Sequence, residues 1–226
     1  LKGNIDYIVL MRGVPYRTGK ISTGTALFFR GVDKLRPLHG YYGRQEAFDG
    51  GVSYLGRKLY PTAVISGYTI KDIMNLIRRS DVRYDEIREA GTFYLCEGVG
   101  PRGVRNRQIE AAARLLREEG AKVKHIRDYN IGKRDDVLVQ FTGITFLRPG
   151  DNTYVRGSVI DNLTSFGGYL LRPKSQTSVL TFIAHGACGA YGTVHEPTNN
   201  PSRFASLAMP IKYARGFNLA DAYYQT

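Results

Sequence analysis

Cysteine is scarce in this chain of 226 residues, and its two cysteines are far apart. Cys96 and Cys188 form no CxxC motif, and no histidine stands at the spacing of a metal site. Both lie in apolar contexts, TFYLCEG and HGACGAYG. We therefore expect two buried, reduced thiols, no disulfide framework and no metal site, and no motif in the sequence implies a cofactor.

Long apolar runs are missing as well. No stretch approaches the ~20 apolar residues that a membrane-spanning helix needs. No signal peptide is visible, but the chain begins with Leu1, and its last residues, LADAYYQT, are typical of a helix cut in mid-turn. We expect a fragment of a longer chain, so the compartment is unknown and export stays open.

The chain carries no nucleic-acid recognition motif, although its formal net charge is +12. The most basic stretch, 102–134, is interrupted by Glu110, Glu118, Glu119 and Asp128. Charges mixed in this way are typical of a solvated basic face. We expect weak, salt-dependent adhesion to polyanions and no binding to a specific nucleic-acid sequence.

Short apolar stretches alternate with helical patterns along most of the chain. Helices are predicted at 69–81, where Thr69 with Asp72 suits an N-cap with an acidic first turn, and at 105–123 and 176–187. The inner stripe of the 105–123 helix is Ile109, Ala112, Ala113 and Leu116. The stretch 204–226 is predicted to be helical with a break at Pro210 and Gly216. The strands at 5–12, 91–96, 136–142 and 157–162 are expected to be parallel in one sheet, and a further strand is predicted at 188–194. This alternation is typical of an α/β fold with a mostly parallel sheet sandwiched by helices. We predict a single α/β domain over 1–226, with an irregular insertion around 17–58.

Polar side chains gather where the predicted strand at 157–162 ends, in the stretch VIDNLTSFGG. Ligands of parallel α/β sheets bind beyond the carboxyl ends of the strands. Residues that follow other strands are expected at the same edge. The candidate site residues are Asp161, Asn162, Thr164, Ser165, Thr145, His195, Glu196 and Asn199. The alternative for Asp161 is that it caps a glycine-rich turn.

A second glycine-rich stretch, EGVGPRGVRNRQ at 97–108, has GxGxxG spacing between a predicted strand and a predicted helix. That context suits a dinucleotide-binding turn. Pro101, however, removes one amide N–H from the phosphate cradle. We favour a strand-to-helix turn without a nucleotide.

Several blocks of the chain resemble a family of uncharacterised bacterial proteins. They are IDYIVLMRGVPYR, SGYTIKDIMNLI, GTFYLCEG, VRNRQIEAAARLL, FLRPGDNTYVRGSVIDNLTSFGG, HGACGAYGTVHEPTNNPSRF and YARGFNLADAYY. That family is remotely similar to gingipain-type cysteine peptidases of the caspase–haemoglobinase fold. The resemblance covers nearly the whole chain and is weakest over 24–60. It implies a caspase–haemoglobinase-like α/β sandwich.

The resemblance also implies where the peptidase dyad would stand. The catalytic His of such peptidases would fall near Ile144 or Thr145, and the catalytic Cys at Thr164 or Ser165, so the dyad is absent here. Cysteine peptidase activity is therefore not expected. We expect a binding or structural module of a larger protein, with an unknown ligand or peptide. The alternative is a hydrolase that uses Ser165 or Thr164 as nucleophile with Asp161 and Glu196.

Overall fold

The computed structural model describes residues 7–28, 53–54, 57–58, 61–170 and 176–226. The strands are β1 (Ile8–Met11), β2 (Arg17–Thr18), β3 (Ile21–Ser22), β4 (Ser53–Tyr54), β5 (Arg57–Lys58), β6 (Thr62–Ile65), β7 (Thr92–Cys96), β8 (Lys122–Ile126), β9 (Val137–Thr142), β10 (Tyr154–Asn162) and β11 (Gly189–Ala190). The helices are α1 (Thr23–Phe28), α2 (Ile70–Ser80), α3 (Asn106–Glu118), α4 (Val179–Ala184), α5 (Ala208–Ala214) and α6 (Leu219–Tyr224). Most of the predicted insertion at 17–58 lies outside the described residues.

Five parallel strands form the central sheet in the order β11-β10-β9-β7-β8. The prediction of an α/β fold with a parallel sheet flanked by helices is confirmed. Strands β7 and β9 are buried along their whole length, as expected for strands covered on both faces. The order reverses between β7 and β9, so the loops that follow these strands diverge at the carboxyl edge of the sheet.

Each face of the central sheet carries its own apolar core. On one face, Phe93, Phe141 and Val159 pack against the buried stripe of α3 and against α5. On the other face, Tyr94, Cys96 and Ile160 pack against Phe182 of α4 and against loop residues. Alternate residues of one strand therefore point into different cores, and this decides how the polar residues at the strand ends are distributed.

Strand β1 departs from the prediction, because it does not pair with the central sheet. It is parallel to β6 in a separate two-stranded sheet, with Ile8 opposite Thr62. Side chains, rather than a strand ladder, join this sheet to the β11 end of the larger one. Ile65 packs on Leu76, Ile183 and Cys188, and the Tyr224 hydroxyl binds the backbone of Thr62.

Strand β11 is shorter than the predicted strand at 188–194, because it ends at Ala190. A Cβ at Gly192 would lie 2.4 Å from the backbone nitrogen of Gly168, so the two backbones touch. Gly168 N also donates to the Thr193 carbonyl at 2.9 Å. The segment after β11 is therefore packed against the loop after β10.

The C-terminal helices show a second difference from expectation. A break is predicted at both Pro210 and Gly216, yet α5 continues through Pro210. Pro210 is the third residue of α5, where the backbone N–H would have no partner within the helix, so a proline is tolerated there. Gly216, with φ of 90°, does end the helical segment.

Candidate functional site at the carboxyl edge of the sheet

The loops that follow β7, β9, β10 and β11 meet at the carboxyl edge of the sheet. Val99 N donates to the Gly143 carbonyl at 2.8 Å, and Leu163 N donates to the Thr142 carbonyl at 2.9 Å. The Thr193 hydroxyl donates to the Ser165 carbonyl at 2.7 Å. The topological expectation that these loops gather at one edge therefore holds for their backbones.

Asn162 joins the loop after β9 to the end of β10. Ile144 N donates to the Asn162 side-chain oxygen at 2.9 Å, and the Asn162 amide donates back to the Ile144 carbonyl at 3.0 Å. This reciprocal pair occupies both polar ends of the amide. Asn162 thus holds the backbone of Ile144 in place at the end of β9.

Asp161 lies on the opposite face of the sheet from Asn162, because successive strand side chains alternate. Its carboxylate accepts a hydrogen bond from Arg105 Nη1 at 2.7 Å, and both side chains are almost completely buried. Arg105 also donates to the carbonyls of Ala205 and Thr142. Asp161 is therefore the buried partner of Arg105. The sequence suggests that Asp161 either caps a glycine-rich turn or lies beside Ser165, and its side chain does neither.

The surroundings of Asp161 act on its pKa in opposite directions. Burial raises the pKa of the carboxyl above its usual range, whereas the Arg105 charge and hydrogen bond lower it. The second oxygen, Oδ2, is buried without a hydrogen-bond partner among the described residues. Arg105 is held in turn by the ring of Phe141, 4.9 Å from its guanidinium carbon.

Thr164 and Ser165 lie in the loop that follows β10. The Thr164 hydroxyl, which is buried, donates to Gln176 Oε1 at 2.5 Å, and Phe166 N donates to the same oxygen at 2.9 Å. Ser165 is partly buried, and its hydroxyl has no hydrogen bond to any residue in the described ranges. Of the two hydroxyls, only that of Ser165 is available to a ligand.

Thr145 contributes its backbone to the same edge, because its carbonyl accepts from Thr177 N at 3.1 Å. The neighbouring Phe146 has 61% of its surface exposed, more than most large apolar residues of the chain. The loop after β9 therefore presents a partly exposed threonine and an aromatic ring to solvent.

His195, Glu196 and Asn199 are exposed and lie in the segment after β11. Glu196 Oε1 accepts from Thr198 N at 2.9 Å, and His195 Nδ1 donates to the Glu196 carbonyl at 3.3 Å. Thr198 has a φ of 56°, in the left-handed region. Glu196 and His195 thus stabilise their own turn, and neither makes a hydrogen bond to Asp161, Thr164 or Ser165.

The GxGxxG spacing at 97–108 is explained by packing. A Cβ at Gly98 or at Gly143 would lie within 2.4 Å of the Arg102 carbonyl oxygen. Asn106 closes the turn, since its side chain binds both N and O of Gly98. The 98–103 turn therefore packs directly against Gly143.

Sequence reasoning missed four residues that shape this edge. Arg105, Gln176 and Thr193 bind the candidate residues, and Arg17 stacks on Tyr169 in the loop after β10. The sequence held one signal for a residue such as Arg105, because Asp161 stands at the end of a buried strand and a buried carboxylate requires a cation. The other three leave no local pattern in the sequence.

No protein-family model, curated protein or solved structure matches this chain. The residues described in the structure include no group of three or more His, Cys, Asp or Glu side chains suited to a metal ion. None of their helices combines the length and apolar character needed to cross a membrane.

Proposed function

We propose that this chain is a peptidase-like domain that binds peptides at the carboxyl edge of its sheet and does not cleave them. The observation that carries the proposal is the state of Ser165, a hydroxyl open to a ligand with no acid or base beside it among the described residues. The site is formed by the loops 143–147, 163–170 and 191–200.

A hydroxyl nucleophile needs a general base within hydrogen-bond reach. The hydroxyl of Thr164 donates to an amide oxygen, which is not a base at neutral pH. Asp161 is held by Arg105 on the other face of the sheet, and Glu196 accepts from a backbone amide of its own turn. The arrangement therefore supports binding over hydrolysis.

A peptide is the ligand class that best suits the chemistry of this edge. The edge offers the Ser165 hydroxyl and the exposed ring of Phe146. Partly exposed aromatic side chains commonly anchor protein ligands, whereas flanking polar groups set their orientation. The resemblance to cysteine peptidases points to the same ligand class.

The test is affinity selection from a mixed peptide library, with mass spectrometry to identify the retained peptides and to detect cleavage. Phe146→Ala removes an exposed ring from the edge, and Leu115→Ala is the matched control on α3, where the leucine is also exposed. We expect Phe146→Ala to weaken retention about tenfold, the scale of an interface anchor, and Leu115→Ala to have no effect.

Two results would contradict this proposal. Retention of no peptide above a denatured control would remove the binding function. Cleavage that disappears in Ser165→Ala would instead establish the alternative, a hydrolase with Ser165 as nucleophile.

A further inference from the structure

Arg17 is held against the loop that carries Ser165. Its Nη1 donates to the Tyr169 hydroxyl at 2.6 Å, and its guanidinium carbon lies 4.8 Å from the centre of the Tyr169 ring. The rings of Tyr16 and Phe166 pack edge-on against Tyr169, at 5.9 and 5.5 Å between centroids. The guanidinium is thus fixed by a stacked ring and a hydrogen bond before any ligand arrives.

Arg17 has no carboxylate partner within the described ranges. Its only polar contact there is the Tyr169 hydroxyl, which leaves the Nε and Nη2 donors without partners in that part of the chain. Arg17 and Tyr16 are both partly buried, and Tyr169 is buried. A partly desolvated cation without a counter-charge is unfavourable, so an anionic group of a ligand would be bound there with a net gain.

The position of Arg17 connects this cation to the proposed peptide site. Tyr169 lies four residues after Ser165 in the same loop, and Gly168 binds the segment after β11 through the Thr193 carbonyl. The planar Nε–Nη2 side of a guanidinium matches the two oxygens of a carboxylate. A lysine in the same place would offer only a point charge.

We infer that Arg17 binds a carboxylate of the peptide ligand, so that the peptides taken by this site are acidic or end in a free carboxylate. This inference rests on the proposed peptide-binding function. It adds the ligand's chemical class and names the residue that selects it.

The experiment measures the affinity of selected peptides for the whole 226-residue chain by fluorescence anisotropy. Each peptide is made in three forms: unchanged, with an amidated C-terminus, and with its Glu and Asp replaced by Gln and Asn. The amidated form tests the C-terminal carboxylate, and the Gln/Asn form tests the side-chain carboxylates. The protein variants are Arg17→Gln, Arg17→Lys, and the control Lys20→Gln, which removes the same charge from an exposed position in the same hairpin.

We expect Arg17→Gln to weaken binding of carboxylate-bearing peptides about tenfold to a hundredfold, the range for hydrogen bonds to charged groups. Peptides that lack the carboxylate should bind wild type and Arg17→Gln equally, which also shows that the variant is folded. Arg17→Lys should recover only part of the loss, and Lys20→Gln should leave affinity within about twofold of wild type.

Equal weakening by Arg17→Gln and Lys20→Gln would overturn the inference, because the effect would then be general attraction to a basic protein. Wild-type binding that ignores the carboxylate would also overturn it, while the peptide-binding function would stand. Failure of wild type to bind any peptide would remove the function and the inference together.

Discussion

Arg105 donates to Asp161 at 2.7 Å beneath the carboxyl edge of the sheet, and both side chains are shut off from solvent. The same guanidinium donates to the carbonyls of Thr142 and Ala205. One arginine therefore connects the start of α3, the ends of β9 and β10, and the segment before α5. This network lies beneath the loops of the carboxyl edge, and its charged side chains are not exposed to solvent.

Arg105→Met should destabilise the protein strongly, because it leaves Asp161 buried and without a counter-charge. Breaking a buried pair by removing one partner costs about 3–5 kcal/mol. The measurement is the free energy of unfolding in urea. The double variant Arg105→Met/Asp161→Leu is the control and should recover part of this loss, since both charges are then gone. Equal stability of Arg105→Met and wild type would contradict the buried pair.

Gly168→Ala should destabilise the protein, whereas Gly167→Ala should not. A Cβ at Gly168 would lie 2.4 Å from the Gly192 carbonyl oxygen, but one at Gly167 would meet its nearest atom at 3.4 Å. Forcing atoms into a packed contact costs about 1–3 kcal/mol. Thermal unfolding of the two variants, compared side by side, measures the difference. Similar melting temperatures would mean that the two loops do not touch as described.

Cys96 should react slowly with thiol reagents in the folded protein. Burial, with a smaller effect of the Asp128 charge, raises the pKa of the Cys96 thiol to about 12. At pH 8 very few Cys96 side chains are then thiolates, and the thiolate is the reactive form. Labelling with a chromogenic disulfide is the assay, and the Cys188→Ser variant isolates Cys96. Complete labelling of native Cys188→Ser within the time needed in urea would contradict the prediction.

Tyr94 should ionise only at strongly alkaline pH and should then weaken the fold. Burial, together with the hydrogen bond to the Asp136 carboxylate, raises the pKa of Tyr94 to about 12. The unfolded chain ionises at about 10. This contribution to stability is therefore complete below about pH 10 and is lost as the pH rises through about 12.

The measurement is the tyrosinate absorbance of native protein against pH, with Tyr94→Phe as the reference that isolates one of 16 tyrosines. A difference spectrum that appears near pH 10 would show that Tyr94 is not buried and held by Asp136 as described. The unfolding midpoints of wild type and Tyr94→Phe should converge as the pH is raised from 9 and Tyr94 ionises.

Local patterns predicted most of the regular elements. Thr69 is the N-cap of α2 and Asp72 lies in its first turn, as predicted, and the two residues exchange reciprocal hydrogen bonds. The inner stripe of α3, Ile109, Ala112, Ala113 and Leu116, is buried as predicted. Both cysteines are free and buried. These outcomes depend on residues that are near in sequence, so their periodicity and spacing carry the information.

The sequence by itself determined the α/β class, the parallel strands, and the polar loops that meet at the carboxyl edge. Only the tertiary structure decided which of those polar side chains face one another. Asp161 pairs with Arg105 across 56 residues, and Arg17 pairs with Tyr169 across 152. It also decided that β1 pairs with β6 outside the main sheet. Contacts between residues so far apart in sequence depend on how whole helices and sheets pack. Adjacent strand residues such as Asp161 and Asn162 also face different cores. No local pattern therefore reveals the partners of these side chains.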